Sequence, residues 1–242
     1  MKSPPKAYEN IPFLNSDACR PVRLQLEYLH PEVTMAEQGV KSTIVLFGSA
    51  RIPSPEKVES CKNAQLATLL SFYEEARKLS RIVSTSCQTN HECEYVIITG
   101  GGPGIMEAGN RGADEVGCKS IALNVTLPHE QEPNPYVTPE LNFEFRYFHM
   151  RKMHFLSRAK AVVIFPGGFG TFDELFEALT LIQTKKIPEM PIILFGSNHW
   201  KRLIDWDYLA DCGLIAREDL DLLTFCDTAE AAWKTITDYH QA

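Results

Sequence analysis

The chain has 242 residues, 44% of them hydrophobic and 23% charged, with a net charge of −7. That length suits one α/β domain carrying an arm, and the acidic balance, with a pI near 5.5 and no basic run, argues against a nucleic-acid surface. No apolar stretch reaches the length of a membrane span, the N-terminal stretch lacks the apolar core of a signal peptide, and the seven cysteines, odd in number and without a C-x-x-C pair, are expected to be reduced thiols of a cytoplasmic protein.

Residues 1–40 show no clear periodicity, and Pro4, Pro5 and Pro12 crowd their start. They read as an N-terminal arm with a short helix over 21–29, packed on the body or on a second subunit. Residues 41–242 read as a single domain. Apolar runs of strand length fall at 43–48, 95–99, 120–125, 161–165 and 191–195. Helical stretches fall between them at 55–79, 104–115, 143–159 and 171–183, and two more follow near 200–208 and 228–239. The strand runs are continuously apolar, the pattern of a parallel sheet buried on both faces. Alternating strands and helices predict a doubly wound, Rossmann-like parallel sheet flanked by helices on both faces, with ligand at the carboxyl ends of the strands. Two polar segments, 84–94 and 126–141, read as insertions. The second is rich in proline and is expected as an ordered loop near the ligand edge.

Three glycine-bearing loops follow strands and so share one edge of the sheet: Gly48, Gly100–Gly104 and Gly167–Gly170. One isolated glycine turn is ordinary loop geometry. Here the last one opens a helix with Thr171, Asp173 and Glu174. A helix N-terminus offers free N–H groups and the positive end of the macrodipole, which suits a phosphate. Carboxylates in that first turn could simply complement the dipole; beside a phosphate pocket they point to chemistry on the bound molecule. The dinucleotide fingerprint fails at both turns, where Ile105 and Asp173 stand in place of the third glycine, and no Walker A lysine is present. An NAD-linked enzyme is therefore disfavoured against a mononucleotide site.

Arg151 and Lys152 lie on the helical stretch before the 161–165 strand. Neighbours on a helix point about 100° apart, so one can reach the ligand edge while the other lies flatter. Met150, Met153, Phe155 and Leu156 mark much of this stretch as buried, and a buried arginine needs an anionic partner. His149 and His154 do not share a helix face. Cys87, His91 and Cys93 match no common zinc spacing, so no metal site is expected.

These residues resemble a known family. The run Gly101-Gly-Pro-Gly-Ile-Met-Glu-Ala-Gly-Asn-Arg-Gly-Ala113, the pair Arg151-Lys152 and the run Pro166-Gly-Gly-Phe-Gly-Thr-Phe-Asp-Glu174 resemble the LOG (Lonely Guy) family. Its members are cytokinin riboside 5′-monophosphate phosphoribohydrolases, and its bacterial branch is often labelled lysine decarboxylase. The resemblance runs from about residue 43 to residue 233. It implies cleavage of the N-glycosidic bond of AMP or N6-prenylated AMP, giving free base and ribose 5-phosphate. It assigns Glu174 the catalytic carboxylate, Asp173 a ribose contact or helper role at a position that is usually Glu in the family, Arg151 the phosphate or developing charge, and Lys152 a supporting role. Gly167, Gly168, Gly170 and Thr171 would bind the 5′-phosphate, while Ser49, Arg51, Gly101, Gly102 and Met106 would line the nucleotide pocket. It implies no metal and no organic cofactor, and a homodimer or higher homo-oligomer. Lysine decarboxylation is not expected, because no lysine sits in a pyridoxal-phosphate context. The alternative is a nucleotide-binding sensor of the same fold without turnover.

Overall fold

In the computed structural model, which describes residues 3–88, 93–126 and 132–241, seven parallel strands form one sheet in the order β4-β3-β2-β1-β5-β6-β7. In chain order the elements are α1 (Ile11–Leu14), α2 (Arg20–Glu37), β1 (Thr43–Phe47), α3 (Ala64–Ala67), α4 (Leu70–Cys87), β2 (Val96–Thr99), α5 (Ile105–Asp114) and β3 (Ser120–Val125). There follow β4 (Asn142–Phe145), α6 (Phe148–Ser157), β5 (Ala159–Ile164), α7 (Phe169–Gln183), β6 (Ile192–Phe195), α8 (Ser197–Leu203), α9 (Trp206–Asp211), β7 (Leu223–Cys226) and α10 (Ala229–Gln241).

The strand side chains alternate between two cores. Val45 and Phe47 of β1 join Phe155 of α6 and Leu175, Ala178 and Ile182 of α7 on one face. Ile44 and Leu46 join Tyr73, Ala76, Leu79 and Val83 of α4, Ile105 and Ala108 of α5, and Ala229, Ala232 and Ile236 of α10 on the other. The spacing of these helical residues, three or four apart, aligns them on one stripe facing the sheet. Full burial of each Leu or Ile contributes about 1.5–3 kcal/mol before entropy is counted. Helices α4 and α5 approach closely at Gly112, where a Cβ would meet the Arg77 carbonyl oxygen.

The strand order reverses between β1 and β5, which pair in parallel from Ile44↔Ala161 to Phe47↔Ile164. Loops leaving adjacent strands in opposite directions open a crevice at this point. The loop after β1 is tied to the loop after β5 by the Ser49 N–H, which donates to the Pro166 carbonyl at 3.0 Å. The fold thus brings two of the predicted glycine loops together at the switch point, with the third alongside on β2.

Several elements differ from expectation. The arm carries an 18-residue helix, α2, with Pro31 inside it, where a short helix over 21–29 was expected. The expected 55–79 helix begins only at Leu70 and runs on to Cys87, with the short α3 before it; this absorbs the start of the 84–94 insertion. The expected 143–159 helix is a strand followed by a shorter helix. Strand β4 pairs with β3 from Ala122↔Asn142 to Val125↔Phe145, and its alternating exposed and buried residues suit an edge strand with one covered face. Strand β7 closes the other edge. The expected 200–208 helix breaks at Asp205, whose side chain accepts from the Tyr208 N–H at 3.0 Å and so starts α9 afresh. His91 lies outside the described residues. Among the described residues no cluster of His, Cys, Asp or Glu is arranged to hold a metal, and no helix is long and apolar enough to cross a membrane.

Candidate functional site

A cleft of about 310 Å³ lies at the switch point, within the size range of small-ligand pockets, roughly 300–1,000 Å³. The loop after β1 contributes Gly48, Ser49, Ala50 and Arg51 to it; β2 and α5 contribute Gly100 and Met106; α6 contributes Phe148 and Arg151; the start of α7 contributes Gly168, Gly170, Thr171, Asp173 and Glu174.

Helix α7 starts at Phe169 with Gly168 as its N-cap and no side-chain cap. Its leading N–H groups are therefore available at the cleft, where the macrodipole favours an anion. Thr171 is buried there, tucked against Gly167, and its hydroxyl makes no hydrogen bond among the described residues. Gly168 and Gly170 form the exposed lip of the cleft.

Glu174 is only 8% exposed, and among the described residues it forms neither a hydrogen bond nor an ion pair. Burial pushes its carboxyl up to about 7, against the opposing pull of Arg151 and Lys152. Arg151 faces it from α6. Its Nε donates to the Leu123 carbonyl at 2.9 Å, and its guanidinium lies over the rings of Phe148 and Phe155, 5.6 and 5.2 Å from their centroids. Burial lowers its pKa even though Glu174 favours the charge. No carboxylate pairs with it directly among the described residues. The cleft thus holds one buried acid and one partly buried cation, neither with an ion-pair partner among the described residues.

The other predicted residues divide. Ser49 and Arg51 line the cleft, with the Ser49 hydroxyl accepting the Arg51 N–H at 3.1 Å. Asp173 lines it from the rim and pairs with Lys152 at 2.8 Å. Lys152 does not line it; it bridges α6 to α7 through Asp173 and Glu177, the latter at 3.2 Å. Burial opposes the charge on Lys152, but these two carboxylates carry its pKa above the ordinary lysine value. Gly167 sits behind Thr171. Gly101 and Gly102 are buried beneath the cleft, where Asn134 Nδ2 donates to their carbonyls at 3.0 and 3.1 Å. Gly101 holds φ +76°, and a Cβ there would run into Asn124 Oδ1, so this position serves the turn itself.

Much of the glycine-rich motif is structural. Asn110 accepts from Thr99 at 2.7 Å and from Asn134 at 2.9 Å, and donates to Ser120 at 3.0 Å. Glu107 accepts the Tyr73 hydroxyl at 2.8 Å on the far side of α5. Sequence reasoning missed Asn124 and Phe148, and placed Gly100 in a ligand-edge loop without naming it for the pocket; all three line the cleft. The amide of Asn124 donates to Asn142 Oδ1 at 2.6 Å and to the Phe143 carbonyl at 3.2 Å; a polar residue in an otherwise apolar strand run was the available signal. It also missed Asn134, whose signal was an asparagine held between two prolines. The expected ordered loop near the ligand edge is met at Asn134, while residues 127–131 of that insertion lie outside the described residues.

A family model described as "Possible lysine decarboxylase" matches residues 106–236. No curated protein matches the chain. Solved structures share its fold. The molybdenum cofactor binding protein from the phototrophic bacterium Rippkaea orientalis is 18% identical, with a TM-score of 0.51 over 82% of this chain and 97% of that one. The Moco carrier protein from Chlamydomonas reinhardtii is 18% identical, with a TM-score of 0.53 over 82% and 99%. A structural-genomics target designated TM1055 is 21% identical, with a TM-score of 0.53 over 81% and 99%. At such identities the likeness is one of fold.

Proposed function

We propose, since the chain belongs to the family described as possible lysine decarboxylase, the LOG family, that it hydrolyses the N-glycosidic bond of a nucleoside 5′-monophosphate. AMP and N6-prenylated AMP are the substrates this reading names. The observation that carries it is the pair in one cleft that lacks ion-pair partners among the described residues, Glu174 with its carboxyl pushed up to about 7 and Arg151 without a carboxylate partner. In the proposed reaction the C1′–N bond breaks with its electron pair going to the base, and positive charge builds on the ribose, as in glycoside hydrolysis. Ionised Glu174 stabilises that charge and takes a proton from the water that adds at C1′, while the departing base acquires a proton. The 5′-phosphate sits at the α7 N-terminus with Thr171, Gly168 and Gly170, and Arg151 supplies positive charge to it. Asp173 contacts ribose from the rim, and Lys152 fixes Asp173. No metal or organic cofactor enters this chemistry.

The residues do not fit the decarboxylase description. A pyridoxal-linked lysine has to lose its proton to attack as an amine. Lys152, the lysine beside the cleft, is paired with two carboxylates that hold its proton. The alternative reading is a nucleotide-binding sensor, and two proteins of this fold are described as a molybdenum cofactor binding protein and a Moco carrier. Glu174 favours hydrolysis, since a site that only holds an anion gains nothing from a buried carboxylate beside it.

The test is base release from AMP and from isopentenyl-AMP, followed by chromatography. Release is expected, and the ratio of the two rates separates a general AMP hydrolase from a cytokinin enzyme. AMP binding without release of either base would move the reading to the sensor. We also propose a homodimer, as the family resemblance implies. Leu29 of α2, Met153 of α6 and Phe169 and Phe176 of α7 leave apolar surface exposed, Phe169 at 96%. Light scattering should give at least twice the 27.3 kDa chain mass; a monomer mass would set the dimer aside.

A further inference from the structure

We infer that Glu27, on the arm helix α2, is a positioning residue for Arg151, an inference that rests on the phosphate role proposed for that arginine. Helix α6 has no cap of its own, since its N-cap residue, Tyr147, makes no side-chain capping bond. The Glu27 carboxylate instead holds the backbone that leads into the helix from across the fold. Its two oxygens accept the N–H groups of Arg146 at 3.0 Å and Tyr147 at 3.2 Å, just ahead of the helix. A carboxylate there both satisfies backbone donors and complements the positive helix end.

The first turn of α6 is also the wall of the cleft, because Phe148 and Arg151 both line it. Arg151 is steered by that turn, its guanidinium lying over the Phe148 ring. A second arm contact holds the same point: Arg23 Nε donates to the Tyr147 hydroxyl at 3.2 Å, while its Nη1 donates to the carbonyls of Leu14 and Ser16. The far end of α6 is clamped separately. There Glu32 accepts both terminal nitrogens of Arg158, at 2.5 and 2.7 Å, and lies 3.2 Å from His154 Nδ1. Glu27 touches no part of the cleft, so its effect on a ligand passes through the turn that carries Arg151.

The experiment is a double-mutant cycle on the full chain, with AMP and adenosine binding read by calorimetry and folding checked by thermal melts. Glu27→Ala is expected to weaken AMP about tenfold, a loss of about the size of one hydrogen bond to a charged group, and to leave adenosine nearly unchanged. Glu27→Gln, which keeps an acceptor, recovers most of the loss. In an Arg151→Met background Glu27→Ala adds no further loss. The inference is overturned if Glu27→Ala leaves AMP binding intact, or weakens it equally in both backgrounds. An Arg151→Met variant that binds AMP normally instead overturns the phosphate role of Arg151, whatever Glu27 does.

Discussion

Glu174→Gln is expected to bind AMP as the wild type does and to release base at least about a thousandfold more slowly. General-base help and preorganised charge stabilisation are each worth about two to four powers of ten or somewhat less, and both depend on the same carboxylate. Gln keeps the shape and removes the charge. The wild-type rate should rise with pH as the carboxyl, pushed up to about 7, ionises, and then level off. The variant should lose that limb. Stability should move the opposite way. The folded state holds the proton more tightly than the unfolded chain, whose carboxyl keeps its ordinary value of 4.5. The favourable contribution of the protonated group is therefore full below 4.5 and is lost as pH rises through about 7. Glu174→Gln should be more stable than wild type at pH 8, by up to about 3 kcal/mol from a shift of this size, and the gain should shrink at pH 5. Thermal melts at the two pH values, beside a chromatographic rate profile, decide the matter. Undiminished base release by the variant would remove Glu174 from the reaction.

Arg151→Met is expected to weaken AMP about a hundredfold and adenosine far less. Losing one partner of a desolvated charge contact costs about 2–5 kcal/mol, and Met retains much of the packing against Phe148 and Phe155. The variant should also shift the pH–rate profile to higher pH, because Arg151 is the largest of the influences that hold the Glu174 carboxyl down. Calorimetry with the two ligands separates the outcomes. Equal weakening of AMP and adenosine would place Arg151 against the base or ribose and not the phosphate.

The parts of the fold legible in sequence were those with a single strong cause. Runs such as Thr43–Phe47 are buried on every residue, so they stand out as central parallel strands. Strand β4 did not, because Asn142 and Glu144 face outward and the segment merges with the helical pattern of α6. Strand β7 is only partly buried over most of its length and carries the same weakness. In the site, the glycine turns announced the sheet edge, but not which residues face the ligand. Gly100 lines the cleft while Gly101 turns beneath it, a choice made by backbone torsion and by Asn124 from another strand. Adjacent Arg151 and Lys152 likewise diverge, one into the cleft and the other onto Asp173 and Glu177.

The contacts between α2 and α6 join residues more than a hundred positions apart, Glu27 to Arg146 being separated by 119. A ribosome adding about 5–20 residues per second finishes α2 roughly 6 to 24 seconds before it finishes the segment that α2 caps. Until then Leu29, which shares a groove with Met150 and Met153 of α6, has no α6 beside it. Closing so long a loop carries an entropic cost that grows with the logarithm of its length. The α6 wall of the cleft can therefore close only after the β1, β2 and β3 strands have been synthesised, while α7, which supplies the opposite wall, is still to come.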